Sequence, residues 1–301
     1  MGYLNQRKRQ ANVYELLTAS LFVLSICCIL VCFFKHFGIT TFINKGLFQV
    51  YLYTLAMIVL AFSFHFWKHA LGLIIVAFIL FLTIGAGSNL FFNVKTSGLQ
   101  TIRLFYQPKV SNFHHSDKQI SRVRPDVAAL ITGPNTEINN LLSDMHLPLL
   151  SEDGFVMMTP HESFENGELM LSPHGRAGFV RLDFNGTKLV FISLDLSSFT
   201  FKEQRIAFKN LAEFVNAQDD PVLIVGRFGQ PAWSFDFMRF LNKTGLEVKN
   251  RILLSNGESF FNPFVVPSLM VLAYKDFGIK ELSFMSKKGN EARPLFIEMN
   301  Y

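Results

Sequence analysis

The chain has little charge and almost no cysteine. Of its 301 residues, 17% are Asp, Glu, Lys or Arg, against roughly a quarter in an average soluble domain. Its three cysteines, Cys27, Cys28 and Cys32, all lie in one apolar run near the N-terminus. The rest of the chain therefore excludes an internal disulfide and any cysteine-ligated zinc or iron site. Inside the apolar runs, thiols act as small hydrophobes. Basic clusters are also scarce. Net charge is +5, yet the one tight group is Arg7, Lys8 and Arg9, so nucleic acid is not expected as a partner.

What is present is apolar bulk: half of the residues are hydrophobic, 34 of them Phe, and mean hydropathy is +0.28. The excess falls almost wholly before Asn93. Leu16 to Phe34, Gln49 to Trp67 and Ala70 to Phe92 contain no Asp, Glu, Lys or Arg, and each is long enough to span a hydrocarbon core. The first run is too long for a signal-peptide core, and no small-x-small cleavage site follows it. The sequence thus predicts a cytoplasmic N-terminus at 1–15, three transmembrane helices within 16–92, and a soluble domain at 93–301. A short segment around Lys68 and His69 is expected to join the second and third helices as a tight turn. Tyr51, Tyr53, Phe66, Trp67, Phe91 and Phe92 suit interfacial belts.

Arg7–Arg9 and Lys68 favour the cytoplasmic side, against Lys35, Lys45, Lys95 and Arg103. Three spans then carry residues 93–301 across the bilayer, as in a bacterial inner-membrane protein with its C-terminal domain outside the cytoplasm. No ionisable residue except His65, near a span end, enters the apolar runs, which argues against transport. The small residues Gly85-Ala86-Gly87-Ser88 are expected to pack helices within the chain.

Beyond Asn93 strands and helices alternate. Strands are predicted at Leu99–Gln107, Val127–Ile131, Gly154–Met158, Phe179–Phe184, Lys188–Leu194, Val222–Val225, Ser268–Tyr274, Lys280–Phe284 and Leu295–Glu298. Asn185-Gly186 marks a hairpin. Helices are expected at Ser116–Val123, at Phe201–Ala217 with Ile206, Phe208, Leu211, Phe214 and Val215 on one face, and at Ser234–Lys243, stopped by Gly245. Hairpins among alternating elements predict an α/β sandwich with mixed sheets.

Three stretches in order carry a resemblance. Val222-Leu-Ile-Val-Gly-Arg-Phe-Gly-Gln-Pro-Ala-Trp-Ser runs on to Thr244-Gly245-Leu246; Arg124-Pro125-Asp126-Val127 precedes it and Asn290-Glu291-Ala292-Arg293-Pro294 follows. With these the chain resembles the endonuclease/exonuclease/phosphatase family, including a subgroup with three N-terminal membrane helices. The resemblance implies a four-layer, deoxyribonuclease-I-like α/β sandwich. It also implies Mg²⁺-dependent phosphoester hydrolysis, with hard carboxylate oxygens on the metal and an Asp–His pair activating water.

The residues at the matching positions do not supply that chemistry. The family's first amide falls at Gln107 and its metal-binding Glu at Thr132. A strand-end His is replaced by Asp195, and the Asp and Asn of Gly-Asp-Phe-Asn become Arg227 and Gly229. In the last motif the Asp is Glu291 and the catalytic His is Ala292; the Asp-His before the penultimate strand is Leu269-Met270. Losing the metal charge and the general base together removes many orders of magnitude in rate. The expectation is a pseudoenzyme without catalytic residues, metal or cofactor. Gln107, Thr132, Asp195, Arg227, Gly229 and Glu291 would form a remodelled pocket, with Arg227 pairing with Glu291 or Asp195. The bilayer and a protein or anionic ligand are the expected partners. The alternative is a Mg²⁺-dependent phosphodiesterase, phosphatase or nuclease with a displaced catalytic set. His114, His115, His161 and His174 have no ligand spacing and read as surface or loop residues.

Overall fold

The computed structural model describes residues 19, 39–63, 67–85, 98, 100–110, 113–132, 147–152, 154–173, 175–184, 186–250, 269–285 and 293–301. The first predicted span apart from Ala19, Arg7–Arg9, the cysteines, His65, residues 86–92, Asn290, Glu291 and Ala292 lie outside the described residues. Contacts divide the chain into two compact units, one up to Ala86 and one from Gly87 onward, the short Trp233–Phe235 stretch aside.

In the first unit, α1 (Ile39–Ser63) and α2 (Trp67–Gly85) pack on one another. Ala61 and Ala70 are buried where they meet, beside Met57, because small side chains let helix backbones approach. The Phe62 and Trp67 rings meet edge-on at 5.1 Å. The expected turn at Lys68 and His69 is corrected: both belong to α2, which begins at Trp67. Polar residues suit a first helical turn, whose N–H groups lack intrahelical acceptors. Among the described residues, no helix is long and apolar enough to cross a membrane.

The second unit holds two six-stranded sheets. In the first, β11 (Gly278–Phe284), β12 (Leu295–Asn300), β1 (Thr101–Val110), β2 (Val127–Thr132), β4 (Phe155–Thr159) and β3 (Leu147–Glu152) lie side by side. The second runs β5 (Ser163–Ser172), β6 (Gly175–Phe184), β7 (Thr187–Asp195), β8 (Val222–Arg227), β10 (Leu269–Ala273) and β9 (Glu247–Val248). Parallel pairs β1–β2 and β7–β8 sit inside otherwise antiparallel sheets, the mixed arrangement the hairpins predicted.

Alternation along the strands builds four layers. Ile102, Leu104 and Tyr106 of β1 face Val180 and Leu182 of β6 and Leu223 and Val225 of β8 between the sheets. Phe105 points the other way, against Ile120 of α3 (Phe113–Val123). On the far side, Phe179 of β6 meets Phe214 of α4 (Phe201–Asn216) at 5.1 Å. Phe208 packs on Phe237 and Phe240 of α5 (Phe235–Thr244), 5.8 and 5.7 Å away. A reciprocal capping box starts α4, with Thr200 and Glu203 satisfying each other's backbone N–H. Gly245, at φ +70°, ends α5.

The β6–β7 hairpin forms where Asn185-Gly186 predicted it, Phe184 pairing with Thr187. Gly186 takes φ +84°, and its N–H donates to Asp183 Oδ1 at 2.7 Å. Strand β5 was not predicted, because Asn166-Gly167 inside it reads as a turn. It pairs with β6 instead, and Gly167 lies opposite Phe179, where an added Cβ would come within 3.1 Å of the ring.

A tighter constraint acts at Gly226 of β8. A Cβ there would lie 2.3 Å from the Leu194 carbonyl oxygen of β7, backbone that cannot yield. Gly226→Ala is expected to cost about 1–3 kcal/mol, read as a lowered unfolding temperature of the detergent-solubilised chain. An unchanged transition would show that β7 and β8 separate without cost.

Candidate functional site

The parallel strands deliver the predicted site residues to one end of the sandwich. Asp195 closes β7 and Arg227 closes β8, and the two are register partners. Gln107 and Thr132 lie in the last part of β1 and at the end of β2, with an irregularity between Gln107 and Val110 in their pairing.

Asp195 and Arg227 form the centre. Arg227 Nε donates to Asp195 Oδ2 at 3.1 Å, and Arg227 Nη2 donates to the same oxygen. Asp195 Oδ1 accepts the Ser197 N–H at 3.0 Å. The Arg227 side chain is 32% exposed and that of Asp195 15%, dry enough for the pair to count and wet enough for water to screen it. Arg227 Nη2 also reaches the Pro108 carbonyl of β1 at 3.5 Å, so the guanidinium spans from one sheet to the other. The anticipated pairing of Arg227 with a carboxylate is thus present, through Asp195; Glu291, the other predicted partner, lies outside the described residues.

The other positions are tied elsewhere. Gln107 is fully buried, and its Oε1 accepts from Ser116 Oγ of α3 at 2.8 Å. Thr132 is half-buried and its N–H donates to Gly154 O at 2.9 Å. Leu269 and Met270 of β10 are buried beside Arg227 and Gly226, so no proton acceptor stands there. Tyr106, one residue before Gln107, donates its hydroxyl to Leu194 O at 3.0 Å. Burial holds this phenol well above its ordinary pKa, and the Asp195 carboxylate pushes the same way while Arg227 partly offsets it.

Gly229 follows β8 at a position where only glycine fits. It adopts φ +69°, and a Cβ would fall 2.4 Å from Gln204 Nε2 and 2.5 Å from Leu196 O. The space belongs to a buried amide network that the sequence reading missed. Gln204 Nε2 donates to Leu196 O at 3.2 Å and Phe199 O at 3.1 Å, and Gln230 Nε2 donates to Gln204 Oε1 at 2.8 Å. The signal was a glutamine on the apolar stripe of α4, in register with Ala207, Phe208 and Leu211.

A second polar cluster at the strand-start end was also missed. His161 Nε2 lies 3.2 Å from Asp126 Oδ1, while Asp126 Oδ2 accepts the Arg103 N–H at 2.7 Å. His161 is a loop histidine, as expected, in the bend between β4 and β5, and its ring is tied to Asp126 just before β2.

A Mg²⁺ ion of the kind implied by the resemblance needs several hard, anionic oxygens. Here the Asp195 carboxylate is matched by a guanidinium, the Gln107 oxygen by a hydroxyl, and Thr132 carries no charge. Among the described residues, no group of three or more His, Cys, Asp or Glu converges as a metal site. The donor set at the described positions, Gln107, Thr132, Asp195 and Arg227, does not fit the ion.

The pair itself is testable by a double-mutant cycle of Asp195→Asn and Arg227→Gln, followed by thermal or denaturant unfolding. A coupling of about 1–2 kcal/mol is expected for a partly screened pair. Additive losses would show that the two groups do not interact.

No family model and no curated protein matches the chain. Solved structures do match by shape. A humanized D. rerio TDP2 superposes with a TM-score of 0.52 at 13% identity, covering 67% of this chain and 99% of that one. A functionally unknown conserved protein from Enterococcus faecalis V583 gives 0.51 at 10%, covering 66% and 99%. An endonuclease/exonuclease/phosphatase from Bacteroides vulgatus gives 0.51 at 8%, covering 67% and 99%. At such identities the likeness is one of fold, and the domain from about residue 100 onward has the endonuclease/exonuclease/phosphatase, deoxyribonuclease-I-like fold.

Proposed function

We propose that this chain is a bilayer-anchored binding or scaffolding protein, built on a phosphohydrolase fold whose catalytic chemistry has been replaced. The Arg227–Asp195 pair carries this reading. Where the resemblance calls for metal-binding carboxylates, a guanidinium holds the only described carboxylate at these strand ends. A cation fixed there repels Mg²⁺ and consumes the charge that would bind it. Thr132 and Ala292 add the loss of a ligand and a proton acceptor. The ligand is then a protein or an anionic group held at the membrane, not a phosphoester to be cleaved.

The membrane half of the proposal is supported by the sequence and by side-chain exposure. Val59, Leu71, Ile75 and Phe78 of α1 and α2 are 56–64% exposed, a costly arrangement in water and the ordinary one in lipid. The uncharged run that begins at Ala70 in α2 continues in the sequence to Phe92, and a further uncharged run, Leu16 to Phe34, precedes α1. The positive-inside bias at Arg7–Arg9 places residues 93–301 outside the cytoplasm.

The competing reading, a metal-dependent phosphodiesterase, phosphatase or nuclease, draws on the fold shared with the Bacteroides vulgatus protein. Assay of the full chain in detergent with Mg²⁺ or Mn²⁺ and a generic phosphodiester separates the two. No turnover above that of an Asp195→Ala, Glu291→Ala double variant is expected. Metal-dependent turnover that this variant abolishes would establish the enzyme.

A further inference from the structure

The outer helical layer on the second sheet has an unbalanced surface. Lys202, Arg205 and Lys209 of α4 are exposed at spacings of three and four, which places them on one helix face. Arg239 and Lys243 of α5, also exposed, are four apart. The helices run side by side in the same direction. Arg205 approaches Asp236 at 3.4 Å near their starts, and Asn216 Nδ2 donates to Lys243 O at 3.3 Å near their ends. The phenylalanine stack beneath fixes them as one sheet-backed surface.

Carboxylates do not neutralise it. Glu203 turns back to the helix start, accepting from Thr200 N and Oγ1 at 2.8 and 2.7 Å. Asp236 is 17% exposed, and Glu213 pairs loosely with Lys209 at 3.7 Å at the far end. Five cations against the three carboxylates Glu203, Glu213 and Asp236 leave a net charge of +2 on the two helices. Elsewhere Arg103, Arg176, Arg181 and Lys280 each sit within 3.6 Å of a carboxylate. Folding alone gives no reason for a cationic layer.

We infer that the outer face of α4 and α5 is a docking surface for anionic lipid headgroups. The inference rests on the membrane reading above, since apolar helices keep the domain within reach of a bilayer. Clustered lysines and arginines close to an anionic leaflet are drawn to it over roughly a Debye length, and salt weakens the attraction. Two parallel helices present a broad, shallow surface, which suits a headgroup plane better than a single ligand. α3 carries a smaller set, Lys118 and Arg122, against the other sheet and serves as the internal comparator.

The test is amide hydrogen exchange on the full chain, reconstituted in nanodiscs of phosphatidylcholine alone and with a third of it replaced by phosphatidylglycerol. Peptides covering 201–216 and 235–244 should exchange severalfold more slowly on the anionic bilayer. Raised salt should remove the difference, as should the Lys202→Gln, Arg239→Gln, Lys243→Gln variant, while α3 is unaffected. Equal exchange on the two bilayers, or slowing confined to α3, would overturn the inference with anchoring intact. So would slowing by heparin on neutral nanodiscs with no response to phosphatidylglycerol, which would assign the face to a soluble acidic partner. Failure of the wild-type chain to float with neutral vesicles would instead remove the membrane reading, and this inference with it.

Discussion

Parallel pairing of β7 with β8 is the constraint from which the site follows. It sets Asp195 opposite Arg227, and it is possible at this spacing because Gly226 leaves room for the Leu194 carbonyl. Once the two ends are in register, the guanidinium cannot avoid the carboxylate. Its remaining reach goes to Pro108 O of the other sheet, so one side chain ties both sheets at the mouth of the sandwich. A bound divalent ion in an active relative would face the same electrostatic task of holding carboxylates together. Here Arg227 holds one described carboxylate, that of Asp195.

Around that pair the polar interior serves architecture. Gln204 and Gln230 tie the start of α4 to the loop after β8, and Gly229 adopts a left-handed backbone because an amide occupies the space a side chain would need. Gln107 is bound to Ser116 of α3. At the opposite end Asp126 gathers Arg103 and His161, joining the starts of β1 and β2 to the segment after β4. Buried polar groups with named partners rigidify a sandwich, and their cost appears only when one partner is removed.

The architecture was largely legible in the sequence, and the reasons are local. The Asn185-Gly186 turn, the amphipathic stripe of α4 and the Gly245 stop each express a single backbone or packing requirement. Strand β5 escaped because Asn166-Gly167 is a turn signal, overridden by pairing with β6. Two-residue β9 is too short to show a period. The Lys68–His69 turn was misplaced because charge marks a membrane boundary better than it marks a helix end. At the site, Asp195 and Arg227 could be read as neighbours from strand ends alone. Gly229 could not be assigned to packing, since its neighbour Gln204 comes from a helix more than twenty residues earlier in sequence.

In the proposed reading the domain acts by where it is and what it holds, and apolar helices with a cationic helical layer both address position. The central claim is that Arg227 stands in for the metal. Its most direct test is the unfolding temperature of the full chain titrated with Mg²⁺ or Mn²⁺. Binding to the native state alone raises stability by about 2.7 kcal/mol at a hundredfold excess over Kd. A flat titration is expected for the wild-type chain. A saturable rise that Asp195→Asn abolishes would contradict it.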